Sequence, residues 1–125
     1  MLIDTHCHLT DKKFDNDLAG VVERANAEGV KKIIVPSTNM EDAKKAVRLA
    51  GDFKDVYSLI GVHPEHVDEV LDVEIFREVV RSSKKVVGIG EIGLDFYYDK
   101  EKVTKKDQID LFKAQLNLAM ELDLR

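Results

Sequence analysis

Two histidines separated by one residue lie near the start of this 125-residue chain, at positions 6 and 8. In an extended strand, residues two apart point to the same side, so both imidazoles can hold one metal ion. Cys7 between them then faces the opposite side, where a small core residue fits. A His-x-His pair is common, and two unrelated loop histidines are the alternative interpretation.

A carboxylate that could complete such a site follows a later apolar run, because Glu91 comes directly after Gly90. A buried carboxylate must be paired or bound to a metal. Two histidines with one glutamate suit Zn²⁺, Mn²⁺ or Fe²⁺, and with further oxygens Mg²⁺. We therefore predict His6, His8 and Glu91 as ligands of a divalent metal ion, with a solvated acid or a salt bridge as the alternative for Glu91.

The third apolar run also ends in a histidine, His63. Its imidazole could bind a phosphate, orient a water or act as an acid or base, or it could cap the loop through hydrogen bonds. His66 is expected to be exposed and is given no role. Asp95 either supports the metal ligands or braces its own loop.

Residues suited to nucleic acids gather after the fourth apolar run. Phe96, Tyr97 and Tyr98 could stack on bases, although packing at the rim is favoured. Lysines that could steer a polyanion follow them, namely Lys100, Lys102, Lys105 and Lys106. A plain solvated loop is the alternative for each lysine.

The elements that must position these residues form four repeats of an apolar run and a helical stripe. The runs are Met1–His6, Ile33–Val35, Val56–Val62 and Val86–Gly90. The stripes are Leu18, Val21, Val22 and Ala25; Ala43, Ala46, Val47 and Ala50; Val73, Phe76, Val79 and Val80; and Ile109, Phe112, Leu116 and Ala119. Asn39 and Thr104 are predicted N-caps. Such repeats predict a parallel sheet whose strand C-terminal ends collect the site residues.

The length limits how many such units the chain can hold. Four βα units are half of the eight in a closed barrel. Residues 1–125 are therefore predicted to form one α/β domain, a parallel (β/α)4 unit. It is either the N-terminal half of a TIM (β/α)8 barrel or a small open flavodoxin-like sheet. The open sheet would lack a glycine-rich phosphate loop after its first strand.

Charge and composition limit the function classes. The net charge of −5 argues against a protein that coats nucleic acid by bulk attraction, though not against a nuclease with a local cationic track. The single cysteine cannot form an internal disulfide, which suits the cytoplasm. No apolar run is long enough to span a membrane, and no leader segment follows Met1, so no membrane association is expected.

Three stretches resemble the TatD family of metal-dependent deoxyribonucleases, within the amidohydrolase-like hydrolases. They are Ile3–Leu9, Gly61–Glu65 and Gly88–Phe96, and their order and spacing match over the whole chain. The resemblance implies a TIM barrel with one or two divalent ions, such as Mg²⁺, Mn²⁺ or Zn²⁺. His6 and His8 match ligands of the first strand, and Glu91 matches a carboxylate that can bridge two metals. His63 matches a histidine near the substrate phosphate, and Thr10 stands where many members have aspartate.

The activity that the resemblance implies is hydrolysis of DNA phosphodiester bonds. The family's other ligands come from strands five, six and eight, so the chain is expected to be the N-terminal half of a member, and weak or inactive alone. Its open strand edges are expected to pair with a second half-barrel or a second copy. The alternatives are a metal-dependent esterase, such as a D-aminoacyl-tRNA deacylase, and a non-catalytic half-barrel or assembly fragment.

Overall fold

Four strands alternate with four helices in the computed structural model, which describes residues 1–69, 71–97 and 105–124. The bounds are β1 Leu2–Asp4, α1 Leu18–Ala27, β2 Val30–Val35, α2 Met40–Asp52, β3 Val56–Ile60, α3 Val73–Ser82, β4 Val86–Ile89 and α4 Lys105–Glu121. Short 3₁₀ turns span Lys12–Phe14 and Pro64–His66. None of the helices in these ranges has both the length and the apolar character needed to cross a membrane.

The strands form one parallel sheet in the order β1-β2-β3-β4. An open doubly wound sheet reverses its strand order near the middle, whereas a barrel adds each strand beside the previous one. Right-handed crossovers between successive neighbours place all the helices on one side of the sheet. The predicted parallel (β/α)4 unit is therefore confirmed, and the flavodoxin-like alternative is wrong.

Most of the core lies between this sheet and its helices. The predicted stripes of α1, α2 and α3 all pack there, with Ala46, Ala50 and Phe76 the most buried. The predicted cap Asn39 accepts a hydrogen bond from the Asp42 amide, while Thr104 lies outside the described residues. On α4 the predicted stripe is wrong at Leu116, which is 42% exposed. The predicted Ala119 is buried, and the other buried positions of that helix are Gln108, Gln115 and Leu118.

The other side of the sheet is only partly covered within the described ranges. Burial alternates along β3, where Val56, Ser58 and Ile60 are buried and the residues between them are half-buried. The inner side carries a shallow groove of about 190 Å³, lined by Ile3, Lys32, Ile34, Tyr57 and Val87. The continuous apolar runs predict cover on both faces, but this side remains an open apolar surface.

Candidate metal centre

The turn after β1 sends alternate side chains to opposite sides. The Cys7 amide donates to the Ile34 carbonyl at 3.1 Å, which continues the pairing with β2 beyond the strand. Leu9 is buried and Cys7 packs on the same core cluster, so His6 and His8 point to the rim. Burial, followed by the charge of Asp4, raises the pKa of the Cys7 thiol, as suits the core residue predicted for this position.

Glu91 is held by backbone contacts from the two neighbouring loops. Its amide donates to the Ser37 carbonyl at 2.8 Å, and the Ser37 amide donates to the Gly90 carbonyl at 3.3 Å. A Cβ on Gly61 would lie 2.7 Å from the Gly90 carbonyl carbon and 3.0 Å from the Glu91 nitrogen. Only glycine allows the β3 loop to pass this close to the Glu91 backbone.

Three potential ligand atoms, from His6, His8 and Glu91, converge at the rim. The two histidine Nε2 atoms are 3.1 Å apart, and they lie 3.4 Å and 3.5 Å from Glu91 Oε2. A point equidistant from these three atoms lies about 1.9 Å from each in their plane, and ligand bonds to zinc are about 2.0–2.2 Å. The spacing of the three donor atoms therefore fits a divalent cation, which His6, His8 and Glu91 would hold together.

His63 lies beside this triangle and also caps its own loop. Its Nδ1 accepts a hydrogen bond from the Glu65 amide at 3.2 Å, which is the capping role foreseen as one alternative. A neutral imidazole that accepts at Nδ1 carries its proton on Nε2. That Nε2 atom is 3.8 Å from Glu91 Oε1, so the free side of the ring faces the ligand cluster.

The other described residues singled out from the sequence lie outside the ligand triangle, and their predictions agree with the structure to different degrees. Asp95 braces its loop, because its Oδ1 accepts from the Tyr97 amide at 2.9 Å. His66 Nδ1 lies 3.4 Å from Glu69 Oε1, outside the triangle. Phe96 and Tyr97 are 48% and 85% exposed, so the described residues do not provide the packing expected for them. Tyr98, Lys100 and Lys102 lie outside the described residues, while Lys105 lies over the Phe96 ring and Lys106 pairs with Asp110.

A cleft of about 600 Å³ adjoins the centre at His8. Its walls are the turn after β1 and the first turns of α2, and they carry three lysines and three acids, namely Lys12, Lys13, Lys45, Asp11, Glu41 and Asp42. Lys13 pairs with Asp11 and Lys45 with Glu41, whereas no ion pair of Lys12 is found among the described residues. The hydrogen bond from the Lys13 amide, more than any nearby charge, lowers the pKa of Asp11.

Sequence reasoning assigned no role to Ser37, Gln108 or Gln115, which hold the loops of the site. The Ser37 hydroxyl accepts from the Gly61 amide at 2.9 Å and donates to the Gly61 carbonyl at 3.1 Å. The two glutamines bond to the backbone of Asp95 and Val62. The sequence feature that could have indicated the two glutamines is their spacing of seven residues, which places them on one face of a helix. Buried polar side chains on such a face require hydrogen-bond partners.

Comparison with known proteins identifies relatives over almost the whole chain. The sequence model of the family described as TatD related DNase matches residues 3–125. The metal-dependent hydrolase YabD of Bacillus subtilis is 35% identical over 99% of this chain, and the 3'-5' ssDNA/RNA exonuclease TatD of Salmonella typhimurium is 33% identical over 98%. The crystal structure of YjjV, a TatD homologue from Escherichia coli, superposes with a TM-score of 0.87 at 36% identity, over 98% of this chain.

The chain spans about half the length of these relatives: 48% of YabD, 47% of the exonuclease and 48% of the crystallised YjjV chain. These matches confirm the predicted family resemblance, and the structural match supports the half-barrel interpretation of the (β/α)4 unit.

Proposed function

The chain belongs to the TatD related DNase family, and from this premise we propose that it supplies one metal site of a metal-dependent nuclease acting on DNA. The observation that carries the proposal is the triangle of His6 Nε2, His8 Nε2 and Glu91 Oε2, whose size fits one divalent ion. Zn²⁺ and Mn²⁺ suit this mixed set of nitrogen and carboxylate donors, and Mg²⁺ suits its carboxylate oxygen.

The residues of the chain divide the chemical work between them. A bound divalent cation supplies positive charge that polarises a phosphoryl oxygen and acidifies water. His6, His8 and Glu91 hold that charge at the rim. His63 keeps a proton on Nε2 and directs it towards the same space, where it can donate to an oxygen of the phosphodiester.

The cleft beside His8 gives the DNA strand a path to this centre. Lys12 projects into it without a carboxylate partner in the described part of the chain, and a free ammonium group attracts a backbone phosphate. A local contact of this kind is compatible with the net charge of −5, because it needs one lysine, and the other two lysines of the cleft are paired with Asp11 and Glu41.

The activity of the 125 residues alone is proposed to be weak. The relatives are about twice as long, and the inner face of the sheet is an open apolar groove. We expect further barrel strands to cover that groove and add ligands, whether they come from a longer chain or from a second half-barrel. A cytoplasmic location, expected from the single cysteine, belongs to the same proposal.

The test compares binding and cleavage of labelled single-stranded DNA, with a phosphorothioate strand for the binding measurement. We expect Mn²⁺ to increase the affinity of the wild-type chain for DNA and to support slow cleavage. The variant H8A should lose both effects. The variant H63A should keep the Mn²⁺-dependent affinity and lose about 10²-fold in cleavage rate, the usual contribution of a general acid or base.

The matched control is H66A, because His66 lies on the same rim but pairs with Glu69 rather than with the ligand triangle. It should behave as the wild type does. The proposal would be contradicted if Mn²⁺ changed neither DNA affinity nor cleavage, or if H8A kept both effects of Mn²⁺. Hydrolysis of a D-aminoacyl-tRNA ester without cleavage of DNA would instead identify the esterase alternative.

A further inference from the structure

Two glutamines of α4 bond to the backbone of two different loops at the metal rim. Gln115 is fully buried, and its Oε1 accepts from the Val62 amide at 2.7 Å while its Nε2 donates to the Val62 carbonyl at 2.9 Å. Gln108 repeats the arrangement on Asp95, with distances of 2.8 Å and 2.7 Å. Each side-chain amide therefore pairs with both peptide groups of one residue, as a neighbouring strand would.

These bonds supply partners for buried peptide groups beyond the ends of the strands. Val62 is fully buried but lies two residues beyond the end of β3, where strand pairing has stopped. A buried peptide amide and carbonyl without partners are strongly unfavourable. A primary amide offers one donor and one acceptor side by side, so it satisfies both groups and fixes their plane.

The bonded residues lie in the same loops as His63 and Glu91. Val62 precedes His63, and the His63 amide continues the hold by donating to the Thr38 carbonyl at 2.7 Å. Asp95 follows Glu91 by four residues, and its carboxylate braces the same loop through the Tyr97 amide. Because residues seven apart lie on one face of a helix, α4 reaches both loops at once.

We propose that Gln115 is a positioning residue for His63 and that Gln108 is a positioning residue for the loop that follows Glu91. This inference rests on the proposed function, in which His63 acts beside a metal ion held by His6, His8 and Glu91. Neither glutamine contacts the ligand triangle, so each acts only through the backbone that it holds.

The test uses Q115M and Q108M, because methionine keeps most of the side-chain volume but cannot form the two bonds. Amide hydrogen exchange is measured by NMR on the metal-free chain. Q115M should speed exchange at Val62 and His63 about tenfold or more and leave Asp95 unchanged. Q108M should do the reverse, which makes each variant the matched control of the other.

A second readout reports the position of the His63 ring. In the Co²⁺-loaded chain, the ring protons of His63 should show metal-induced shifts that Q115M alters and Q108M does not. A role limited to packing α4 on the sheet would change exchange at both loops equally in either variant. That result, or unchanged exchange at Val62 and His63 in Q115M, would overturn the inference.

Failure of the inference and failure of the proposed function can be told apart. No Co²⁺-induced shift in the wild-type chain would contradict the metal site, whereas the exchange pattern of the metal-free chain still decides the role of the glutamines. If Q115M does not fold, Q115E keeps an acceptor for the Val62 amide. It should then show faster exchange at His63 than the wild type, with Asp95 unchanged, and a wild-type rate at His63 would overturn the inference.

Discussion

At the scale of single residues, the identity of the potential ligands could be predicted, but the means of holding them could not. His6, His8 and Glu91 follow strands, and the C-terminal ends of parallel strands meet at one edge, so their convergence follows from the topology. The contacts of Ser37 and Gly61 depend on where loops cross in space. Neither residue belongs to a local pattern that would reveal such a crossing.

Substitution of Gly61 tests how closely the Glu91 backbone is held. In G61A the new Cβ meets the Gly90 carbonyl carbon at 2.7 Å, so the loop must move. We expect the free energy of unfolding to fall by about 1–3 kcal/mol, as for other overpacked sites, and the affinity for Mn²⁺ to fall as well. Urea unfolding and metal titration measure the two effects.

The control is G51A, since a Cβ on Gly51 has no heavy atom within 4 Å and the residue lies in α2. Alanine in a helix should raise stability by about 0.5–1 kcal/mol and leave Mn²⁺ affinity unchanged. Equal behaviour of the two variants would contradict the proposed role of the close contact.

Lys12 provides a second prediction at this scale. In K12A the affinity for single-stranded DNA should fall, and the slope of log affinity against log salt concentration should decrease by about one, as expected for one lost phosphate contact. Fluorescence anisotropy over a salt series measures both quantities. K44A removes the same charge from an exposed position of α2 outside the cleft, and an equal effect there would show that the cleft has no special part in binding.

At the scale of elements, the sequence predicted the strands and three of the four helix faces, because their apolar spacing records the contact with the sheet. It failed on α4 because two buried positions of that helix are glutamines. A hydrophobic pattern does not reveal a polar side chain that is buried because it bonds to the backbone of another element. The face of α4 is therefore set by Val62 and Asp95 as well as by apolar packing.

The contact between α3 and α4 makes the stability of the chain depend on pH. Arg77 donates to both carboxylate oxygens of Glu121 at 2.7 Å, and these bonds lower the pKa of Glu121 from its ordinary value of 4.5. The ionised carboxylate therefore stabilises the fold above about pH 4.5. This contribution is lost as the pH falls through the lowered pKa that Glu121 has in the folded chain.

Comparison of E121Q with the wild type checks this sign. The wild type should be the more stable of the two at pH 7, and the difference in free energy of unfolding should shrink as the pH falls below 4.5. E41Q is the matched control, because Glu41 is highly exposed and pairs with Lys45 within α2. A difference between wild type and E121Q that does not change with pH would contradict the role assigned to this ion pair.

At the scale of the whole molecule, the side of the sheet opposite the helices is only partly covered, and no single element explains why. Ile3, Ile34, Tyr57 and Val87 line a partly covered groove together with Lys32, whose ammonium group lies over the Tyr57 ring, and partly exposed apolar surfaces of this kind promote association. The apolar runs predicted burial on both faces of the strands. Cover on one of those faces is incomplete in the described ranges, and the chain matches about half of each relative's length.

We expect the 125-residue chain to associate with itself through this face. Sedimentation equilibrium should give a mass that rises above the 14.1 kDa of one chain as the concentration increases. V87E places a charge in the groove and should restore the monomer, whereas M120E, at an exposed position of α4, should not. A monomer at every concentration, or association unaffected by V87E, would show that this face is not the contact.

The most direct test of the account is whether His6, His8 and Glu91 bind one divalent ion together. Isothermal titration of the chain with Zn²⁺ and Mn²⁺ should give one site, lost in H6A, H8A and E91Q and retained in H66A. Absence of binding in the wild type, or binding that persists when all three ligands are replaced, would contradict the metal centre and the function proposed from it.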